Sequence, residues 1–114
     1  MLFEFSVIPI GGSEHLSGVV AEVVKQIEIA GLTYQLTPSA TCVEGDWEVV
    51  MPVLHECHEI AKRHSSHVVT LIKIEDDAGE TNKLARNLRS VEEQAGHPLA
   101  TQPVSSQPRE TGLA

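Results

Sequence analysis

Phe3, Phe5 and Val7 alternate with Glu4 and Ser6 near the start of the chain. This period of two predicts a β-strand over Leu2–Ile10 with one strongly apolar face. Leu2, Glu4, Ser6 and Ile8 make up the mixed opposite face, and Pro9 with the Gly11-Gly12 pair ends the strand. From Ser13 the period lengthens. Leu16, Val19, Val20, Val23, Val24, Ile27 and Ala30 form a helical stripe, closed by Gly31 just past the helix end. Two short runs, Leu32 to Thr37 and Ala40 to Glu44, then flank Pro38-Ser39. Pro38 suits the second position of a type I turn because its ring fixes φ. A two-residue tip pairs Leu36 with Thr41, Gln35 with Cys42, Tyr34 with Val43 and Thr33 with Glu44. Opposed residues share a face. Tyr34, Leu36 and Val43 therefore lie on one side, and Thr33, Gln35, Cys42 and Glu44 on the other.

Asp46 follows as a helix N-cap, its carboxylate placed to accept from the free N–H groups of the next turn. The second helix runs to about His64 with Val50, Val53, Leu54, Cys57 and Ile60/Ala61 as its buried stripe, and Pro52 removes one of its backbone bonds. His67 to Glu75 alternates again, Val68, Thr70, Ile72 and Ile74 against Val69, Leu71, Lys73 and Glu75. After the break at Asp76–Gly79, Glu80 to Ala95 carries a weaker stripe of Leu84, Leu88, Val91 and Ala95, ended by Gly96. The segment from His97 has three prolines and no aromatic residue, a composition that predicts disorder.

The order β-α-β-β-α-β with an added C-terminal helix predicts an α+β, ferredoxin-like fold over residues 1–95, with a tail over 96–114. Right-handed crossovers set the first and third strands in the centre of an antiparallel sheet and both main helices on one face. The other face is left uncovered. It carries Glu4, Ser6, Gln35, Cys42, Glu44 and Lys73, interspersed with Leu2, Ile8, Val69 and Leu71. A half-apolar face of this kind is most simply buried against another copy of the chain, which predicts an oligomer.

The 114 residues suit a single core. A formal net charge of -8 argues against a nucleic-acid partner, which calls for a basic patch. No run approaches the roughly 18 apolar residues of a membrane span. Glu4 interrupts the first apolar run and no basic segment precedes it, so the expected location is the cytoplasm. There, Cys42 and Cys57 are expected as reduced thiols. His55-Glu56-Cys57-His58-Glu59 places two histidines three apart on a helix, but position 59 is Glu, so the HExxH zinc pattern is not met and no metal is expected. Cys57, on the buried stripe, reads as a small apolar residue. Gly11-Gly12 ahead of a helix could hold an anion, though a simple turn accounts for the pair.

Several segments together resemble the small thiamine-binding protein family of ferredoxin-like fold: Phe5–Gly11, Ala30–Pro38, Thr41–Asp46 and Val68–Asp76. The resemblance spans about residues 1–95, and Pro52, Cys42 and the long tail depart from it. It implies a non-catalytic protein that binds thiamine or its hydroxymethylpyrimidine part, needs no cofactor, and assembles as a homotetramer of paired dimers. An aminopyrimidine or thiazolium ligand calls for carboxylates, neutral hydrogen-bonding groups and an apolar wall. On the uncovered face Glu4 and Glu44 would supply the carboxylates. Ser6, Gln35 and Thr37 would supply hydrogen bonds, with Cys42 and Lys73 beside them and Trp47 as a stacking ring. Two other readings stand beside this one. In a structural or regulatory oligomer without a ligand, Glu4 or Glu44 pairs with Lys73. In a small dimeric enzyme, Glu44 is the nominee for general acid or base.

Overall fold

The computed structural model describes residues 1–11 and 16–103. The expected helix start at Ser13, Gly12 of the glycine pair and tail residues 104–114 lie outside the described residues. By their contacts the residues form two compact units, Met1–Leu84 and Ala85–Ala114. In chain order the elements are β1 (Leu2–Pro9), α1 (Leu16–Ile29), β2 (Thr33–Leu36), β3 (Thr41–Glu44), α2 (Trp47–Lys62), β4 (Val68–Glu75) and α3 (Lys83–Ala95).

The four strands form one open antiparallel sheet in the order β2-β3-β1-β4. The hairpin register is the one expected from a two-residue tip, Gln35↔Cys42 and Tyr34↔Val43 included. Phe3, Phe5, Val7 and Val43 point to one face, where they meet Val19, Val23 and Ile27 of α1 and Val50, Leu54, Cys57, Ile60 and Ala61 of α2 in a single core. Each of the larger side chains contributes about 1.5–3 kcal/mol by leaving water. Hydrogen bonds link the layers at their edges. Tyr34 donates to Glu28 Oε2 at 2.7 Å, and His58 Nδ1 lies 2.6 Å from Thr70 Oγ1. The sheet's other face has no helix from the core against it, and Leu71 there is 59% exposed.

Four local expectations need correction. Asp46 sits at the N-cap position in extended conformation, yet its carboxylate makes no capping hydrogen bond. Its backbone carbonyl accepts from Val49 and Val50 N–H instead, and Trp47, Glu48 and Val49 are exposed residues at the helix start. At the hairpin tip, the Ala40 amide that a type I turn would send to the Thr37 carbonyl goes to Thr37 Oγ1 at 3.1 Å. Leu16 and Leu36, assigned to apolar faces, are both about half exposed because the space between them is not filled by protein. Finally, α3 starts at Lys83 rather than Glu80, after Asn82 in a left-handed conformation, and buries none of its residues. Residues 97–103 hold no helix or strand, and Leu99 N–H donates to Glu92 Oε2 at 2.8 Å.

Two measurements test this packing. Gly45 has φ 156°, and a Cβ placed on it would stand 2.9 Å from Cγ2 of the fully buried Val50 in α2. Gly45→Ala should therefore cost about 1–3 kcal/mol in denaturant unfolding; an unchanged midpoint would mean that the loop relaxes freely. Burial first, and Glu56 second, push the Cys57 thiol from its ordinary 9.0 up to about 12. The unfolded chain then loses this proton before the folded one does. The contribution is complete below pH 9 and is lost as pH rises toward 12. Stability should fall more between about pH 8 and about pH 10 in the unmodified protein than in Cys57→Ala. Equal falls would refute the assignment.

Candidate functional site

β1 is eight residues long, and β4 pairs with all of it from Leu2↔Glu75 to Pro9↔Val68. On its other side β1 meets β3, which has only four residues, and that pairing ends at Phe5↔Thr41. Beyond this point the hairpin turn and β1 part. A cavity of about 260 Å³ occupies the gap, with Leu16, Val20 and Val23 of α1 as its roof. The walls are Phe5 to Ile8 on one side and Leu36 to Thr41 on the other.

This placement explains why residues assigned to opposite faces of the sheet share one cavity. Phe5 and Val7 point to the core and Ser6 to the uncovered face, but where no neighbouring strand continues, both faces border the same space. Ser6 Oγ reaches across it to donate to the Ser39 carbonyl at 3.3 Å. Thr37 folds inward on the turn, where its hydroxyl donates to Ala40 O at 2.8 Å and accepts from the Ser39 and Ala40 amides. Thr41 adds a buried hydroxyl, the rest of the lining is apolar, and no carboxylate belongs to it among the described residues.

The eight expected site residues divide into three groups. Ser6 and Thr37 line the cavity. Gln35, Cys42, Glu4 and Lys73 form one transverse row over the uncovered face, each paired with the next across the four strands. In that row Lys73 Nζ lies 3.8 Å from Glu4 Oε1, both side chains being well exposed, which is worth at most about 1 kcal/mol. The Cys42 thiol is raised above its ordinary value by burial and by Glu4, with Lys73 opposing. Glu44 stands one row away, opposite Leu2, and its Oε2 accepts from the Leu84 amide at 3.4 Å in the first turn of α3. Trp47 forms the third group alone. Its ring is tilted against Phe3 with centroids 6.4 Å apart, and Phe3 belongs to the covered face, so the indole is not brought to the row.

Among the described residues no three His, Cys, Asp or Glu side chains converge to hold a metal. His55 turns toward Glu59 at 3.4 Å while His58 turns to Thr70. No helix among them is long and apolar enough to cross a membrane. The residues that sequence patterning missed are Leu16, Val20, Leu36 and Ser39. The signal for them was the mismatch between an eight-residue β1 and a hairpin of four-residue strands.

Comparison with known proteins gives this arrangement a family. The profile of the family described as "Thiamine-binding protein" matches residues 3–92. The UPF0045 protein Mb1933 of Mycobacterium bovis is 30% identical over 93 residues, covering 81% of this chain and 91% of its own length. The crystal structure of the hypothetical protein MJ1052 of Methanocaldococcus jannaschii superposes with a TM-score of 0.74 at 24% identity, over 81% of this chain and 95% of that one. A Thermotoga maritima protein named for a suggested role in thiamine biosynthesis or salvage superposes with a TM-score of 0.65 at 24% identity, over 75% and 94% of the two chains. The two structural likenesses carry the ferredoxin-like fold, and the profile match over most of the chain carries membership: this protein belongs to the thiamine-binding protein family.

Proposed function

We propose that the protein is a non-catalytic, cytoplasmic binding module for thiamine or its hydroxymethylpyrimidine part, with the pyrimidine ring in the cavity between β1, the hairpin and α1. The observation that carries this reading is a cavity of about 260 Å³ in a chain whose family is named for thiamine binding. Its volume lies just under the roughly 300–1,000 Å³ of sites for drug-sized ligands, a size for one substituted ring. Phe5, Val7, Val20 and Val23 would form the apolar wall, and the Ser6 and Thr37 hydroxyls the polar rim. In this reading the row Gln35–Cys42–Glu4–Lys73 and Glu44 belong to a different surface. Together with the exposed Leu71 and Val69 they would make the contact between copies of the chain in a tetramer of paired dimers.

Calorimetric titration with hydroxymethylpyrimidine, thiamine and its phosphates tests the location. Val20→Phe should fill the cavity and weaken binding at least about tenfold, while Glu44→Gln leaves affinity unchanged. The opposite pair of results, with Glu44→Gln costing about 1–3 kcal/mol, would move the ligand to the uncovered face. If none of these compounds binds at millimolar concentration, the ligand-free structural module replaces this reading. For the assembly, light scattering should give a tetramer that Leu71→Arg dissociates, because the substitution puts an unpaired charge into an apolar contact. A monomeric unmodified protein would overturn it.

A further inference from the structure

In an antiparallel sheet the N–H and C=O of one residue point to the same side, and successive residues point to opposite sides. Two hydrogen bonds fix this parity for β1. Gly45 N–H donates to the Met1 carbonyl at 3.1 Å, so Met1, Phe3, Phe5 and Val7 present their backbone groups toward β3. Ile10 N–H donates to the His67 carbonyl at 2.7 Å, so the even-numbered residues face β4. The register would pair Val7 with Ser39, but the ladder stops at Phe5↔Thr41. Among the described residues no backbone hydrogen bond joins Val7 to the hairpin. Ser39 is otherwise engaged: its amide points to Thr37 Oγ1, and its carbonyl accepts from Ser6 Oγ.

Val7 is thus left with one donor and one acceptor side by side, at a residue that is 5% exposed and lines the cavity. A buried backbone pair of this kind strongly favours a partner that satisfies both groups. We infer that the Val7 N–H and C=O are the recognition pair of the cavity and read the amidine edge of a neutral 4-aminopyrimidine. The ring nitrogen accepts from Val7 N–H and the exocyclic amine donates to the Val7 carbonyl. This is the same two-bond exchange that an antiparallel partner residue would make.

The inference rests on the proposed function and sharpens it. Because no carboxylate belongs to the lining among the described residues, the neutral pyrimidine is the part enclosed. A thiazolium cation or a phosphate would cost too much to desolvate there and stays outside. Hydroxymethylpyrimidine and thiamine should therefore bind through the same contacts, with the thiazolium adding little.

The test uses the full chain and two probes, 4-amino-5-hydroxymethyl-2-methylpyrimidine and its 4-oxo counterpart, in which donor and acceptor exchange places along the edge. The amino compound should bind, the oxo compound about tenfold or more weakly. The Val7 amide resonance should move downfield and exchange more slowly when the amino compound is added. Val7→Pro, which removes the N–H on the unpaired side while leaving the β4 ladder its bonds, should weaken binding of the amino compound and narrow the preference between the two probes, the carbonyl alone still favouring the amine. Equal affinity for both probes with an unmoved Val7 resonance would overturn this inference and leave the binding function standing. Failure of thiamine and both pyrimidines to bind at millimolar concentration would overturn the function itself, and this inference with it.

Discussion

Pairing along β1 is limited by how far the hairpin reaches. β2 and β3 have four residues each, and the hydroxyl of Thr37 turns the chain at the fifth position by taking the Ala40 amide. β4 pairs with β1 along its whole length, so β1 continues as a strand past the point where β3 leaves it. A strand paired on one side only is the condition for the cavity. α1 then roofs a space that no strand fills, and Leu16 and Leu36 stay half exposed at its edges. Lengthening the hairpin by two residues per strand would carry the ladder to Val7 and close the space.

Polarity is divided between two surfaces. The exposed Glu4 and Lys73 and the partly buried Cys42 thiol lie across the uncovered sheet. Among the described residues the cavity is lined by apolar side chains, hydroxyls and backbone, without a charged group. Enclosure is left to shape and hydrogen bonding, which suits a flat heteroaromatic ring better than an ion.

The scaffold that supports this division is a single apolar layer. Phe3, Phe5 and Val43 on the sheet interlock with Ile27, Leu54 and Val50 on the helices, and all six are essentially inaccessible to water. Cys57 fills a place in that layer as an apolar residue, its thiol held neutral by burial. Bonds at the edges, from Tyr34 to Glu28 and between His58 and Thr70, join the helices to the sheet.

Element types, strand order and hairpin register were legible in the sequence because each follows from a local rule. Alternation in Phe3–Val7, the stripe from Val19 to Ile27 and the Pro38-Ser39 tip all act within a few residues of themselves. Even the row on the uncovered face followed, since register and a period of two assign every side chain to a face. Where strands stop is a different matter. The ladder ends at Phe5↔Thr41, where the hairpin parts from β1 beneath α1. The tertiary structure alone therefore decided that Ser6 and Thr37 share a cavity with Leu16 and Val20, that Glu44 bonds to Leu84, and that Trp47 turns to Phe3. These are contacts between segments distant in the chain, fixed by packing and invisible to any local pattern.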